Sequence, residues 1–281
     1  MFRNHFCLQQ RVIVPLFCFF GFLPLQAQFT TSRPSGPTNL FSDYELIWSD
    51  EFDGKELDSA KWRHRQLGPR KNGVTVRSAV SLDGHGHLIV TVRKVGHQYH
   101  GGMIATDGLF QTKYGFFEAR VKFQREQGWW PAFWLTSREV GAPQNGQGVV
   151  DDTAKNGTEI DIFEYFTIKP DKVQHTLHWN GYGNLHKETK HVASVPGLSQ
   201  GFHTFGVDWQ PSGYTFYVDG KKTWSTTQAI SHAEQYIVLS AEISSWPGDI
   251  TKAQLPDSVC FDYVRVWQKN GASFSGNTEH K

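Results

Sequence analysis

The sequence predicts an all-β fold, two antiparallel sheets packed as a jelly-roll sandwich with one concave groove. Apolar and polar residues alternate with period two in short runs, and turn residues separate the runs. No stretch keeps a 3.6-residue apolar period for three turns, and the best helical candidate is a single turn near residues 229–235. The 281 residues hold no βαβ spacing, no internal repeat and no second linker, which suits one large β domain.

The first 27 residues read as an export signal. Arg3 and Arg11 precede the apolar run VIVPLFCFFGFLPL, and LQA ends at Ala27, the natural cleavage point. Pro15, Gly21 and Pro24 interrupt that run, so it does not read as a membrane span. Cys18 follows the bulky Phe17, which argues against a lipid anchor there. Residues 28–42 read as a flexible leader, 43–269 as the folded domain and 270–281 as a polar tail.

Without Arg3 and Arg11 the mature chain has 26 basic and 27 acidic residues. Such a balance recruits no polyanion, and without a basic run nucleic acid is not expected as a partner. Cys260 is then the lone thiol, in the apolar run VCFDYVRVW, where it reads as structural. A monomer is expected.

The strands follow in order. HLIVTVRK puts Leu88, Val90 and Val92 on one face. GFFEARVKF puts Phe117, Ala119, Val121 and Phe123 inward and Glu118, Arg120 and Lys122 outward. In YTFYVDGKKTW, Asp219 and Gly220 supply a hairpin turn. GWWPAFWL concentrates aromatic rings, with Phe133 expected in the core and Trp130 and Trp134 on a sugar-binding face. Trp179, Tyr182 and Trp246 stand in loop or strand-end settings suited to stacking on pyranose rings.

EIDIFEYF carries the chemistry. Its Ile, Phe and Tyr residues are those of a strand, yet three carboxylates interrupt them, although acids are depleted in strands and like charges on one face destabilise it. Glu159 and Asp161 share a face by alternation, but Glu164 points the other way unless a one-residue bulge between Asp161 and Glu164 turns it back. With the bulge, the outer Cα atoms stand roughly 13 Å apart, and Glu side chains leaning together close the gap to roughly 5 to 6 Å, the spacing of a retaining glycosidase. An acidic, solvent-facing strand edge is the alternative, although the usual guard there is Lys and none lies within the run.

The histidine pairs His85/His87 and His175/His178 lack a third ligand at a spacing that suits zinc. His178 reads as a polar groove residue, able to bond a sugar or Glu164, or as a satisfied structural histidine. The Asn156 sequon would set a glycan beside Glu159, so it reads as chance or as a sign against eukaryotic secretion.

Taken together these segments resemble glycoside hydrolase family 16, the laminarinase and agarase group. EIDIFE resembles its bulged catalytic signature, WSDEFDG (residues 48–54) its opening strand, GWWPAFWL its substrate-binding tryptophan segment and FDYVRVW its closing strand. The resemblance covers most of the mature chain. It implies a concanavalin A-like sandwich with Glu159 as nucleophile, Glu164 as general acid and base, and Asp161 as the assisting carboxylate. Glu164 is expected to hold its proton because negative charges surround it. Substrate contacts are expected from Trp130, Trp134, His178, Trp179, Trp246 and Glu242. No cofactor is needed for catalysis, but a structural calcium ion at Glu51 and Asp262 is implied. The implied substrate is a β-1,3- or mixed-linkage β-glucan. VLSAEISSWPG (residues 238–248) departs from the laminarin-active pattern, and Glu242 and the HWNGYG segment suit an agar-like or porphyran-like galactan or a host O-glycan. A lectin-like sandwich is the reading from another class, but it gives no reason to keep both Glu159 and Glu164.

Overall fold

The structure is a computed structural model that describes residues 41–140 and 157–271. The export signal, most of the leader, Cys18, the Asn156 sequon and the tail beyond residue 271 lie outside the described residues. Seventeen strands follow one another. The first eight are β1 (Tyr44–Asp50), β2 (Arg63–His64), β3 (Gly68–Arg70), β4 (Gly73–Thr75), β5 (Val80–Leu82), β6 (Leu88–Val95), β7 (Gln98–Ala105) and β8 (Gly115–Lys122). Then come β9 (Trp129–Thr136), β10 (Glu159–Tyr165), β11 (Lys172–Trp179), β12 (Lys187–Ser194), β13 (His203–Gln210), β14 (Gly213–Val218), β15 (Lys221–Thr226), β16 (Tyr236–Ile243) and β17 (Asp257–Lys269).

They pair into two principal antiparallel layers. One runs β12–β11–β10–β9–β16–β7–β2. The other runs β5–β6–β17–β8–β13–β14–β15, with β1 on the far half of the long β17. The short β4 joins β7 in parallel. Between the layers lies the core, where Phe117, Ala119 and Val121 of β8 share a cluster with Phe133 and Leu135 of β9 and Ile160 and Ile162 of β10. The all-β sandwich expected from alternation is what forms.

Local expectations fare unevenly. Asp219 (φ 48°) and Gly220 (φ 70°) form the two-residue hairpin turn, whose positive φ values match the twist of the flanking strands. Residues 229–235 form no helical turn, because Ala229 is left-handed (φ 51°) and Gln235 exchanges backbone bonds with Thr112. Two short 3-10 turns occur instead, at Arg77–Ala79 and Ile250–Lys252. Glu118 does not face water; it is buried in the middle of its sheet and accepts a 2.9 Å bond from the Tyr263 hydroxyl. Cys260 is free and half-buried, and burial pushes its thiol up to about 11. Among the described residues no helix is long and apolar enough to cross a membrane.

Candidate active site

The expected bulge is present. Asp161 pairs with Thr176 and Glu164 with Gln174 on β11, so three steps of β10 oppose two of its neighbour. The register also slips against β9, where Asp161 faces Trp134 and Glu164 faces Ala132. Ile162 and Phe163 are adjacent yet both enter the core, which leaves Glu159, Asp161 and Glu164 together on the wall of a groove of about 950 Å³. The extra residue leaves a carbonyl in need of a donor. His175, fully buried on β11, supplies it, with Nδ1 2.7 Å from the Ile162 oxygen and Nε2 2.9 Å from Thr223 Oγ1. Burial lowers this imidazole to about 4, so it stays neutral.

The groove crosses the sheet, and alternation decides which side chains reach it. From β9 come Trp130, Ala132, Trp134 and Thr136; from β16, Tyr236 and Glu242; from β11, Gln174, Thr176 and His178. Glu164 is held by Gln174 Nε2 at 2.9 Å and Thr176 Oγ1 at 3.0 Å. His178 therefore meets Asp161 rather than Glu164: its Nε2 lies 3.4 Å from Asp161 Oδ2, and its Nδ1 lies 2.9 Å from His186 Nε2. Period two turns the next residue away. Trp179 packs on the core and does not line the groove, which corrects its expected place among the substrate contacts.

Burial, reinforced by Asp161, pushes Glu159 up to about 8 against the pull of Tyr182 and His178. Asp161 is held well above the usual carboxylate range by burial and by Glu164 and Glu242, with Lys71 pulling the other way. The Tyr182 hydroxyl donates to Glu159; Tyr182 is itself exposed and follows the buried, left-handed pair Asn180 and Gly181.

Trp246 is 59% exposed and stacks on buried Trp130, with centroids 4.9 Å apart, at one end of the groove. Lys71 Nζ sits over both rings at 4.4 and 4.2 Å. Glu242 takes Arg70 through both oxygens, at 2.5 and 3.2 Å, and has Lys71 at 3.7 Å. Sequence reasoning missed Arg65, Arg70, Lys71 and His186 because cations in loops or in the three-residue β3, and a loop histidine, carry no periodic signal. For His175 a signal existed: a bulge predicts an unpaired carbonyl, and the opposite strand holds the donor.

Among the described residues two groups of three side chains bring ligand atoms close enough to hold a metal ion, His178 with His186 and Glu188, and Glu159 with Asp161 and His178. Both are made by tertiary neighbours that the sequence spacing did not reveal. In the first, the imidazoles bond each other and Glu188 pairs with Lys190 at 2.8 Å. The carboxylates expected to hold calcium do not fit an oxygen cage as they stand. Glu51 is gripped at both oxygens by Arg265 (2.9 and 2.8 Å), and Asp262 is bound by Arg120 at 2.5 Å.

The chain is 28% identical to the keratan-sulfate endo-1,4-beta-galactosidase of Sphingobacterium multivorum, over 86% of this chain and 60% of that protein. It is 26% identical to a beta-glucanase of Rhodothermus marinus, over 80% of this chain and 85% of that one. The laminarinase structure from Flavobacterium sp. UMI-01 superposes with a TM-score of 0.66 at 25% identity, covering 80% of this chain and all of that one. The family model for glycosyl hydrolases family 16 matches residues 69–265, from the third strand through the bulged acids into the last, and the chain belongs to that family of glycoside hydrolases.

Proposed function

We propose that the protein is a retaining endo-β-glycanase that works by double displacement. The observation that carries the proposal is the bulge, which sets Glu159 and Glu164 on one groove wall with Asp161 between them. In the first step the ionised Glu159 carboxylate bonds through one oxygen to the anomeric carbon as the glycosidic C–O bond breaks, and Glu164 gives its proton to the leaving oxygen. In the second, Glu164 takes a proton from water, the water oxygen bonds to the anomeric carbon, and the Glu159 ester breaks. Asp161, oriented by His178, stands beside Glu159 and tunes its ionisation before attack and on release. These carboxylates supply nucleophile and proton, so the chemistry asks for no cofactor. Endo action follows from a groove that runs across the strands and can hold a chain on both sides of the acids.

Two backbones fit this family membership, a β-1,3- or mixed-linkage β-glucan and a galactose-containing glycan. The second, where it carries anionic groups, is favoured by two cations on the groove wall, Arg65 and Lys169, that the five carboxylates lining it leave without an ion-pair partner among the described residues. Glu242, the departure in the late strand, is part of that charged wall. Export after cleavage behind Ala27 and a monomeric state complete the proposal.

Digestion of laminarin, lichenan, agarose, porphyran, keratan and mucin O-glycans, with product sizing and early proton NMR, tests it. Internal cleavage with a β-anomer formed first is expected. An α-anomer would overturn retention, and a folded protein that binds but cleaves none of the panel would favour the lectin-like reading.

A further inference from the structure

We propose that Arg65 is a specificity residue that binds an anionic substituent of the substrate, a sulfate ester or a sugar carboxylate. The inference rests on the reading that this groove holds a glycan chain. Of the six cations in the groove, four have carboxylate partners: Arg70 and Lys71 on Glu242, Lys190 on Glu188, and Arg138 on Asp107. Arg65 and Lys169 have none among the described residues. Lys169 is exposed, whereas Arg65 is half-buried.

Arg65 is also fixed in place. Its backbone nitrogen bonds to the Met103 oxygen at 3.0 Å, and its Nη2 donates to the Tyr236 hydroxyl at 2.9 Å. The guanidinium lies over the rings of Trp134 and Tyr236, 5.3 and 5.6 Å from their centroids. Its Nη1 is buried with no hydrogen-bond partner. A desolvated charged donor without an acceptor is costly, and native structures keep such groups where something else supplies the acceptor.

A rival role would be to balance the catalytic acids. The side chains that chiefly offset those acids are others: Lys71 at Asp161, and His178 with Tyr182 at Glu159. Arg65 instead lies over Trp134 of β9 and Tyr236 of β16, and the groove side chain it acts on is Tyr182 rather than an acid. A neutral hydroxyl there would satisfy the donor and leave the charge. Two oxygens of a sulfate or carboxylate match the planar fork in both respects.

Catalytically inactive Glu159→Gln protein separates recognition from hydrolysis. Its affinity for keratan sulfate oligosaccharides and for the same oligosaccharides after chemical desulfation is measured by calorimetry, with and without Arg65→Met or Arg65→Lys. A second arm uses sialylated and desialylated O-glycans, which tells sulfate from carboxylate. We expect about 10- to 100-fold tighter binding of one charged form over its neutral counterpart, weakened by salt. Arg65→Met should bring that ratio near one, and Arg65→Lys should keep part of it. A general loss of folding does not change the ratio. Equal affinity for charged and neutral forms, or a preference that survives Arg65→Met, would overturn the inference. Cleavage of laminarin with no action on any galactose-containing glycan would instead overturn the backbone reading.

Discussion

Glu159→Gln should abolish turnover and make the fold more stable, increasingly so as pH rises. The usual Glu value is 4.5 and the folded protein holds Glu159 at about 8, a gap of about 3.5 pH units. A folded-state value raised above the unfolded one means the folded chain keeps a proton that the unfolded chain releases. Below pH 4.5 both states are protonated and the group has no effect. Between 4.5 and about 8 wild-type stability falls, and above 8 the penalty is complete. At 1.36 kcal/mol per unit the ceiling is about 5 kcal/mol, and water in the groove screens it to about 2–3 kcal/mol. Gln keeps the oxygen that accepts from Tyr182 and has no charge to desolvate. Urea unfolding of both proteins at pH 5 and pH 8.5 measures the effect, and the difference between them cancels the titrating groups that do not interact with Glu159. Should the variant be no more stable than wild type at pH 8.5, or its advantage be the same at both pH values, the argument that burial raises Glu159 fails. Turnover retained by the folded variant would sink the nucleophile assignment itself.

Glu164→Gln should lower polysaccharide turnover by about 10²–10⁴. Cleavage of an aryl glycoside with an acidic phenol should survive its first step, and azide should rescue the second by yielding a β-glycosyl azide; no rescue would count against the acid/base role. Tyr182→Phe removes a hydrogen bond that lowers Glu159, so the acidic limb of the kcat/KM profile should move to higher pH. A limb that stays put would mean that substrate already displaces the tyrosine. His175→Leu strands the buried Ile162 carbonyl and should cost about 1–3 kcal/mol in denaturant titrations. Because wild-type His175 sits at about 4, below its usual value, wild-type stability should also fall as pH drops from 6.5 towards 4, a slope the variant lacks.

Much of the fold was legible because alternation is a strong signal. Phe117, Ala119 and Val121 read as inward and are, and the Asp219–Gly220 turn follows from the φ values those residues tolerate. The acids were legible for the same reason, since a strand with Glu159, Asp161 and Glu164 on a useful face has few arrangements. Other details depended on tertiary partners. Nothing in GFFEARVKF announces that Glu118 meets Tyr263, and nothing near residue 65 announces that a loop arginine will cross over Trp134. Trp179 was misplaced by treating a strand end as a loop; counting two from the core residue Leu177 would have turned it inward.

The bulge does more than aim Glu164, because it ties the spacing of the acids to the core. Removing the extra residue's slack would slide the end of β10 by one position, which exchanges the faces of every residue beyond it. Phe163, fully buried, would leave the core, losing roughly 1.5–3 kcal/mol of burial. Glu164 would be driven in its place away from Gln174 and Thr176, and a carboxylate without partners in an apolar interior costs still more. The Ile162 carbonyl would also lose His175. Each penalty acts against the same displacement, so the carboxylate spacing is protected by side chains that never touch a sugar. Selection on the core and selection on the chemistry therefore act on one local geometry, and a family member that kept the acids but replaced His175 would need another donor for the bulge.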